Sequence, residues 1–546
     1  MAMSGRYSLI DEPWVLVLTQ DGTTDEVSLL DLFRRAPQIR EIVGDIPTQG
    51  YAVLRVALAV LARSVGGPRT TGDWEHLWDG TAPPMEAIEA YLQEHAERFD
   101  LFHPETPFFQ VAGLRTARDE VFGLERLIAD VPAGHPYFTT RAGRGVQRIS
   151  AAEAARWLVH VQAFDVSGIK SGAVGDPRVT GGKGYPIGQG FAGHLGGLSV
   201  DGGDLWRTLL LNTVPLDHLG LQRDVRDRPA WEAEPSGPAE ADDAAARPYG
   251  SLDLFTWQSR RVLLHGGPDG VTGVLVANGD KLTPQNRHRQ EPMSAWRRSE
   301  PQQKKLGLPV VYMPREHVPG RAVWRGLASL LPLVAPRGKA DGGQPFVTAA
   351  VVEWAAEALE ATARVTLRTA GMVYGTQNAS VEEVVDDRLV VPVALLSEEH
   401  PALAQAAVDA VDASEGAVRA VGFLARNLAS AAGAREPKLL DGARDEAQRQ
   451  AYAVLDGPYR AWLAGLDPSV DPLAQREEWH RQAAALVRRV GAELVESAGP
   501  DAWVGREVSI GSGTRHVSTP EADKQFRRAV DQALPTTLTT PEEPAA

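Results

Sequence analysis

Between Ser171 and Gly197 the chain reads SGAVGDPRVTGGKGYPIGQGFAGHLGG. Glycine is so dense here that no ordinary helix or strand interior fits, because each glycine loses more backbone freedom on ordering than any other residue. Such backbone either cradles phosphate or is laid bare for another ligand, and the two are separable by spacing. A phosphate-binding P-loop needs Lys directly after its last Gly and then a Ser or Thr hydroxyl. Here Lys183 is followed by Gly184, and Pro177 occupies the place of the first Gly. Gly188 to Gly193 does match G-x-G-x-x-G, but that pattern binds a dinucleotide only between a strand and a helix. Neither TGGKGYPI before it nor HLGGLSVDGG after it reads as those elements. Glycine used for steric emptiness remains: backbone that approaches a bulky partner closely, or a solvated surface loop. Composition alone leaves both open.

The rest of the chain narrows the function classes. With 546 residues it is a multidomain protein. It has no cysteine, so disulfides, thiolate metal sites and cysteine nucleophiles are excluded. The histidines show no metal-ligand spacing and no G-x-S-x-G elbow occurs, so neither a metal nor a cofactor nor a catalytic residue is expected. No segment reaches 18 uninterrupted apolar residues and the first residues lack a secretory pattern; the expectation is a cytoplasmic protein with no membrane partner. A net charge of −15 argues against nucleic acid, yet averages hide patches. Lys281 to Lys305 carries seven Lys or Arg against two Glu and reads as a solvated loop, and RAGRGVQR, 141–148, is free of acids.

Along the chain, 9–33 reads as two short strands joined by an Asp-Gly turn and leading into a helix. Pro47 to Val65 is apolar on nearly every face and is expected as a buried helix. Leu221 to Pro248 reads as an exposed loop, and strands follow in LFTWQSRRVLLH, GVTGVLVANGD, ARVTLRTAGMVYG and DRLVVPVALL. Beyond about Leu396 strand signals fade. Val411, Val418, Val421, Ala425 and Leu428 line one face of a helix, a second spans about Leu439 to Leu466, a third starts on Asp471 and Pro472, and a fourth is capped by Thr519. The fold class is α+β: a large mixed α/β N-terminal domain (1–394), an all-α C-terminal four-helix bundle (395–534) and a disordered tail (535–546).

LIDEPWVLV (9–17), VSLLDLF (27–33), HPETPFFQV (103–111), the glycine stretch leading into LWRTLLLNTVPL, PAWE (229–232), FTWQSRR (255–261) and YGTQNAS (374–380) follow one another in the order seen in the CasA family. The chain thus resembles, over nearly its whole length, the large subunit of the type I-E CRISPR Cascade complex. That resemblance implies a non-catalytic subunit that recognises the protospacer-adjacent motif (PAM) of target double-stranded DNA. It also implies that the subunit helps open the duplex for guide RNA and offers a landing surface for a nuclease-helicase. The implied partners are the other Cascade subunits, the 5′ handle of the guide RNA, the target DNA and the nuclease-helicase.

By resemblance, the glycine loop that enters the minor groove corresponds to Gly181, Gly182, Lys183 and Gly184. The wedge beside the first base pair corresponds to Gln377, Asn378 and Ala379, in an amide order that departs from the family's Asn-Gln. The lysine finger corresponds to Lys281, with Arg287 and Arg289 as alternatives. The loop that meets RNA and neighbouring subunits is similar to 131–148, with Phe138 as anchor and Arg141, Arg144 and Arg148 toward phosphate. Two other readings remain in play: a nucleotide-dependent enzyme using Gly188 to Gly193, and an assembly scaffold that never touches DNA.

Overall fold

The computed structural model describes residues 5–131, 147–331, 346–510 and 513–536. In it the apolar run after Ile46 forms one helix, Pro47–Ser64, with Pro47 at the first helical position and nearly every residue buried. Its one charged interior residue, Arg55, is 2% exposed and forms a two-pronged ion pair with the fully buried Glu291, at 3.0 and 2.8 Å. The helix Ala151–Phe164, capped by Ser150 accepting from the Glu153 N–H, packs on it.

The residues form two units: Met1–Arg321 with Pro336–Ala358 and Val365–Arg388, and Ala322–Ala335 with Leu359–Arg364 and Leu389–Ala546. In the first unit the strands Val15–Thr19, Thr24–Val27 and Ile39–Ile42 make a small antiparallel sheet with Val15–Thr19 in the middle, and Leu29–Arg34 follows as a helix. A second sheet has the order Lys183–Gly184, Lys170–Ser171, Gly270–Asn278, Arg260–Gly267. The last two strands are an antiparallel hairpin, and Lys170–Ser171 joins it in parallel at Ser171 and Ala277. A third sheet places Arg364–Tyr374 between Val381–Pro392 and Gly197–Asp201.

Two expected loops are more ordered than their composition suggested. Leu221 to Pro248 contains no helix or strand, yet it is not simply exposed. Trp231 is 2% exposed and packs against Phe99 with ring centroids 5.0 Å apart, and the Arg261 guanidinium donates to the Gly237 and Ala239 carbonyls. Buried side chains from elsewhere hold a segment that has little to bury itself. The basic run 281–305 likewise contains a strand, Trp296–Arg298, and most of a helix, Glu300–Leu306, closed by Gly307 in the left-handed region.

In the second unit the helices Pro401–Ala432, Pro437–Ala464, Pro472–Glu496 and Thr519–Ala533 form a four-helix bundle, with the first packed against the other three. Val411, Val418, Val421, Ala425 and Leu428 are all buried, as their spacing required. Asp471 caps the third helix, accepting from the Leu473 N–H at 3.2 Å. The fourth starts one residue earlier than expected. Ser518 is the extended residue before it, and Thr519, buried, is its first helical residue. Gly491 allows close approach of the third and fourth helices, since a Cβ there would sit 2.2 Å from the Phe526 ring. Trp324 stacks on Tyr459 with centroids 4.4 Å apart and donates to Asp456 Oδ1 at 2.8 Å.

Candidate nucleic-acid interface

The glycine stretch folds into a tight hairpin. Thr180 and Lys183 exchange N–H to carbonyl bonds of 3.0 and 3.2 Å, and between them Gly181 and Gly182 have φ of +60° and +74°. Two successive positive φ values define a type I′ turn, whose twist suits a two-residue hairpin and which side chains other than Asn, Asp and Gly resist. A Cβ on Gly181 or Gly182 would meet nothing within 4 Å, so backbone conformation and not crowding selects glycine there, and the tip projects bare. The legs below are different. A Cβ on Gly172 would lie 2.6 Å from the Gly182 carbonyl carbon, and one on Gly184 would lie 2.8 Å from Asn278 Nδ2. Gly184 is therefore buried, while Gly181, Gly182 and Lys183 are exposed.

Gln377 and Asn378 also have positive φ, +58° and +56°, in the turn that joins two long strands. Their side chains part company. Asn378 is braced: its Nδ2 donates to Gln189 Oε1 at 2.9 Å and its carbonyl accepts from the Ser167 N–H at 2.7 Å. Gln377 and Ala379 are exposed. Because Gln189 lies inside the glycine stretch, the amide turn and that stretch form one connected structure. Beneath them Asp165 receives Lys170 Nζ at 2.6 Å and the Arg260 guanidinium, which also donates to the Gly188 and Val166 carbonyls at 2.8 and 3.1 Å. Burial alone would push the Asp165 carboxyl up, but these two cations hold it below its ordinary value, so it stays ionised.

Lys281 is exposed, and its N–H donates to Glu240 Oε1 at 2.9 Å. Arg178, between the hairpin and Asp176, donates to the Gly279 carbonyl at 2.9 Å, tying the glycine stretch to the turn that carries Lys281. Arg287 is half-buried and spends a donor on the Arg247 carbonyl, whereas Arg289 is exposed. Arg148 is exposed and donates to the Asp269 carbonyl. Phe138, Arg141 and Arg144 lie outside the described residues.

The G-x-G-x-x-G motif has a structural use. A Cβ on Gly190 would sit 2.4 Å from the Ala163 carbonyl oxygen and one on Gly193 2.3 Å from the Tyr374 hydroxyl, so protein fills the space a phosphate would need. A short 3-10 turn, Phe191–His194, and then the strand Gly197–Asp201 follow, where a dinucleotide site requires a helix. The strand had gone unrecognised among its glycines. Among the described residues no cluster of three His, Asp or Glu could hold a metal, and no helix is long and apolar enough to cross a membrane.

The residues that sequence reasoning missed are the braces: Gln189, Asn278, Asp165, Arg178 and Arg260. One signal was present, the adjacent Arg260 and Arg261 directly before the apolar run 262–264, each 1% exposed in the structure.

A family model described as CRISPR-associated protein Cse1 matches residues 8–490. The crystal structure of Cse1 from Thermobifida fusca is 46% identical, with a TM-score of 0.88 and 97% of this chain and 98% of that one covered. A curated relative from Thermus thermophilus, described as CRISPR-associated protein CasA/Cse1, is 27% identical over 96% of this chain and 98% of its own. A chain of a solved CRISPR RNA-guided surveillance complex shares the fold at 18% identity, with a TM-score of 0.65 and coverage of 96% and 99%. The family match and the architecture, a mixed α/β unit and a helical bundle, agree: the chain belongs to the CRISPR-associated Cse1 family.

Proposed function

We propose that this chain is the large, non-catalytic subunit of a type I-E Cascade surveillance complex. In that role it reads the PAM of target duplex DNA through the minor groove and starts strand opening beside it. The observation that carries this reading is the bare Gly181-Gly182 tip, joined through Gln189 and Asn378 to an exposed amide turn. A tip without Cβ atoms can present N–H and carbonyl groups to a groove about 6 Å wide, whose edge pattern is degenerate enough for one reader to accept several motifs. Gln377 is then the inserting amide and Asn378 its brace. Unstacking a base step costs a few kcal/mol, which the tip, Lys183 and Lys281 offset until guide RNA pairs. Arg148 and the segment before it meet the guide RNA's 5′ handle and the neighbouring subunits, and the helical bundle receives the nuclease-helicase. An overall charge of −15 suppresses indiscriminate DNA binding, so the isolated chain binds weakly and with strong salt dependence.

The test is reconstitution of the complex with Gly181→Asn. Asn-Gly is a preferred type I′ pair, so this variant adds a side chain to the tip without straining it. Assembly is expected to persist while PAM-dependent binding collapses. Unchanged discrimination between targets with and without the motif would leave the chain an assembly scaffold instead.

A further inference from the structure

Beside the hairpin, two large apolar side chains stand in solvent: Ile169 and Tyr185, each 57% exposed. Lys170 pairs with Gly184 and Ser171 with Lys183, so the register, continued by one residue, sets Ile169 opposite Tyr185. Residues directly opposite in an antiparallel pair share a face, and Lys183, two residues before Tyr185, lies on that face too. The backbone beneath is fixed. The buried Asn278 side chain donates to the Tyr185 carbonyl at 2.7 Å and fills the space beside Gly184. Tyr185 follows the Gly182 tip by three positions, a span of at most about 11 Å. Ile169 is two residues from Ser167, whose N–H holds the Asn378 carbonyl, and each two-residue step spans at most about 7 Å. The pair therefore lies between the tip and the amide turn.

We propose that Tyr185 and Ile169 form an apolar platform that receives the nucleobase released when the first pair beside the motif opens; this rests on the duplex-opening role proposed above. Two side chains fall far short of the roughly 800 Å² per partner of a standard protein interface, but match the face of one base. Stacking on an aromatic ring accepts any base, which suits a position where target sequence is unconstrained. A ring on pinned backbone loses little freedom when covered, and Lys183 on the same face suits the phosphate flanking a released nucleotide. The amide of Gln377 separates the pair, and the platform holds one of its bases apart from the other.

The experiment uses the reconstituted complex and targets with 2-aminopurine at the first pair, on each strand in turn. With Tyr185→Ala the population showing the stacked-base fluorescence change is expected to fall roughly 5- to 100-fold. Tyr185→Phe is expected to behave as the parent and Ile169→Ser to fall in between. On a target mismatched at that pair, Tyr185→Ala is expected still to lack the stacked signal. A parental signal from Tyr185→Ala on both strands overturns the platform, as does failure of Tyr185→Phe to restore it. Should Tyr185→Ala fail to assemble, Tyr185→Phe and Ile169→Ser decide, and a parental signal from Ile169→Ser then overturns it. Gly181→Asn on the same targets separates the two ideas: retained motif discrimination there removes the underlying function, whereas lost discrimination beside a parental Tyr185→Ala signal removes only the platform.

Discussion

Asn378 Nδ2 donates to Gln189 Oε1 across 2.9 Å, joining residues 189 positions apart. The bond assigns different work to neighbouring amides, because it occupies the side chain of Asn378 while that of Gln377 stays exposed.

Gln377→Ala exchanges one exposed L side chain for another at the same positive φ, so it is expected to leave thermal stability within about 0.5 kcal/mol of the parent, and to slow strand opening. Asn378→Ala removes a half-buried hydrogen bond and places alanine at positive φ, so it is expected to cost about 1–3 kcal/mol and to slow opening as well. Denaturant titration beside a fluorescent-base opening assay separates the two variants. Equal stability losses would mean that Asn378 is no brace.

At the hairpin tip, Gly181→Ala is expected to destabilise by about 1–2 kcal/mol, because an ordinary L side chain resists φ of +60°. Gly181→Asn, whose side chain tolerates that region, is expected to be close to neutral. Unfolding midpoints of the purified variants check the difference, which reports turn conformation independently of DNA.

His160 gives the first unit a pH dependence. Its ring lies 3.0 Å from Thr48 Oγ1 and burial pushes its pKa down to about 3. In the unfolded chain the imidazole titrates near 6.5, so between these values the unfolded state binds more protons, and stability rises with pH. Acidification from pH 6.5 toward 3 is thus expected to remove stability at up to about 1.4 kcal/mol per pH unit from this group. His160→Gln is expected to flatten that part of the profile, as read by denaturant titration at pH 7, 6 and 5; an unchanged slope would place the titration elsewhere.

Within the helical bundle, Gly491→Ala puts a methyl group 2.2 Å from the Phe526 ring. The two helices must separate or Phe526 must leave its rotamer, at an expected cost of about 1–3 kcal/mol. Gly442→Ala, on a helix and with nothing near its Cβ, is the control and is expected to stabilise by a few tenths to about 1 kcal/mol. Circular dichroism melts of the two variants test the pair.

What could be read in the sequence was whatever repeats over a turn or two of chain. The buried Pro47–Ser64 helix announced itself by apolar faces, and the bundle by residues such as Val411 and Val418 recurring at helical spacing. The candidate tip was visible because consecutive glycines have few other uses. Its supports were not: the bond from Asn278 to Tyr185 spans 93 residues and that from Asn378 to Gln189 spans 189, and no local pattern encodes such partners. Composition misled where tertiary contacts overrode it, as at Trp231, which is buried inside a segment rich in Pro, Ala and acid.

Trp324 belongs to the same unit as Tyr459 although more than a hundred residues lie between them, and the intervening chain twice enters the other unit, at Pro336–Ala358 and Val365–Arg388. The helical part is consequently not a detachable cassette. A fragment begun at residue 395 would keep the socket around Tyr459 and lose the indole that plugs it, a vacancy on the order of 3–5 kcal/mol. Evolution or engineering that exchanges this unit between relatives must carry the short 322–335 insertion along with it.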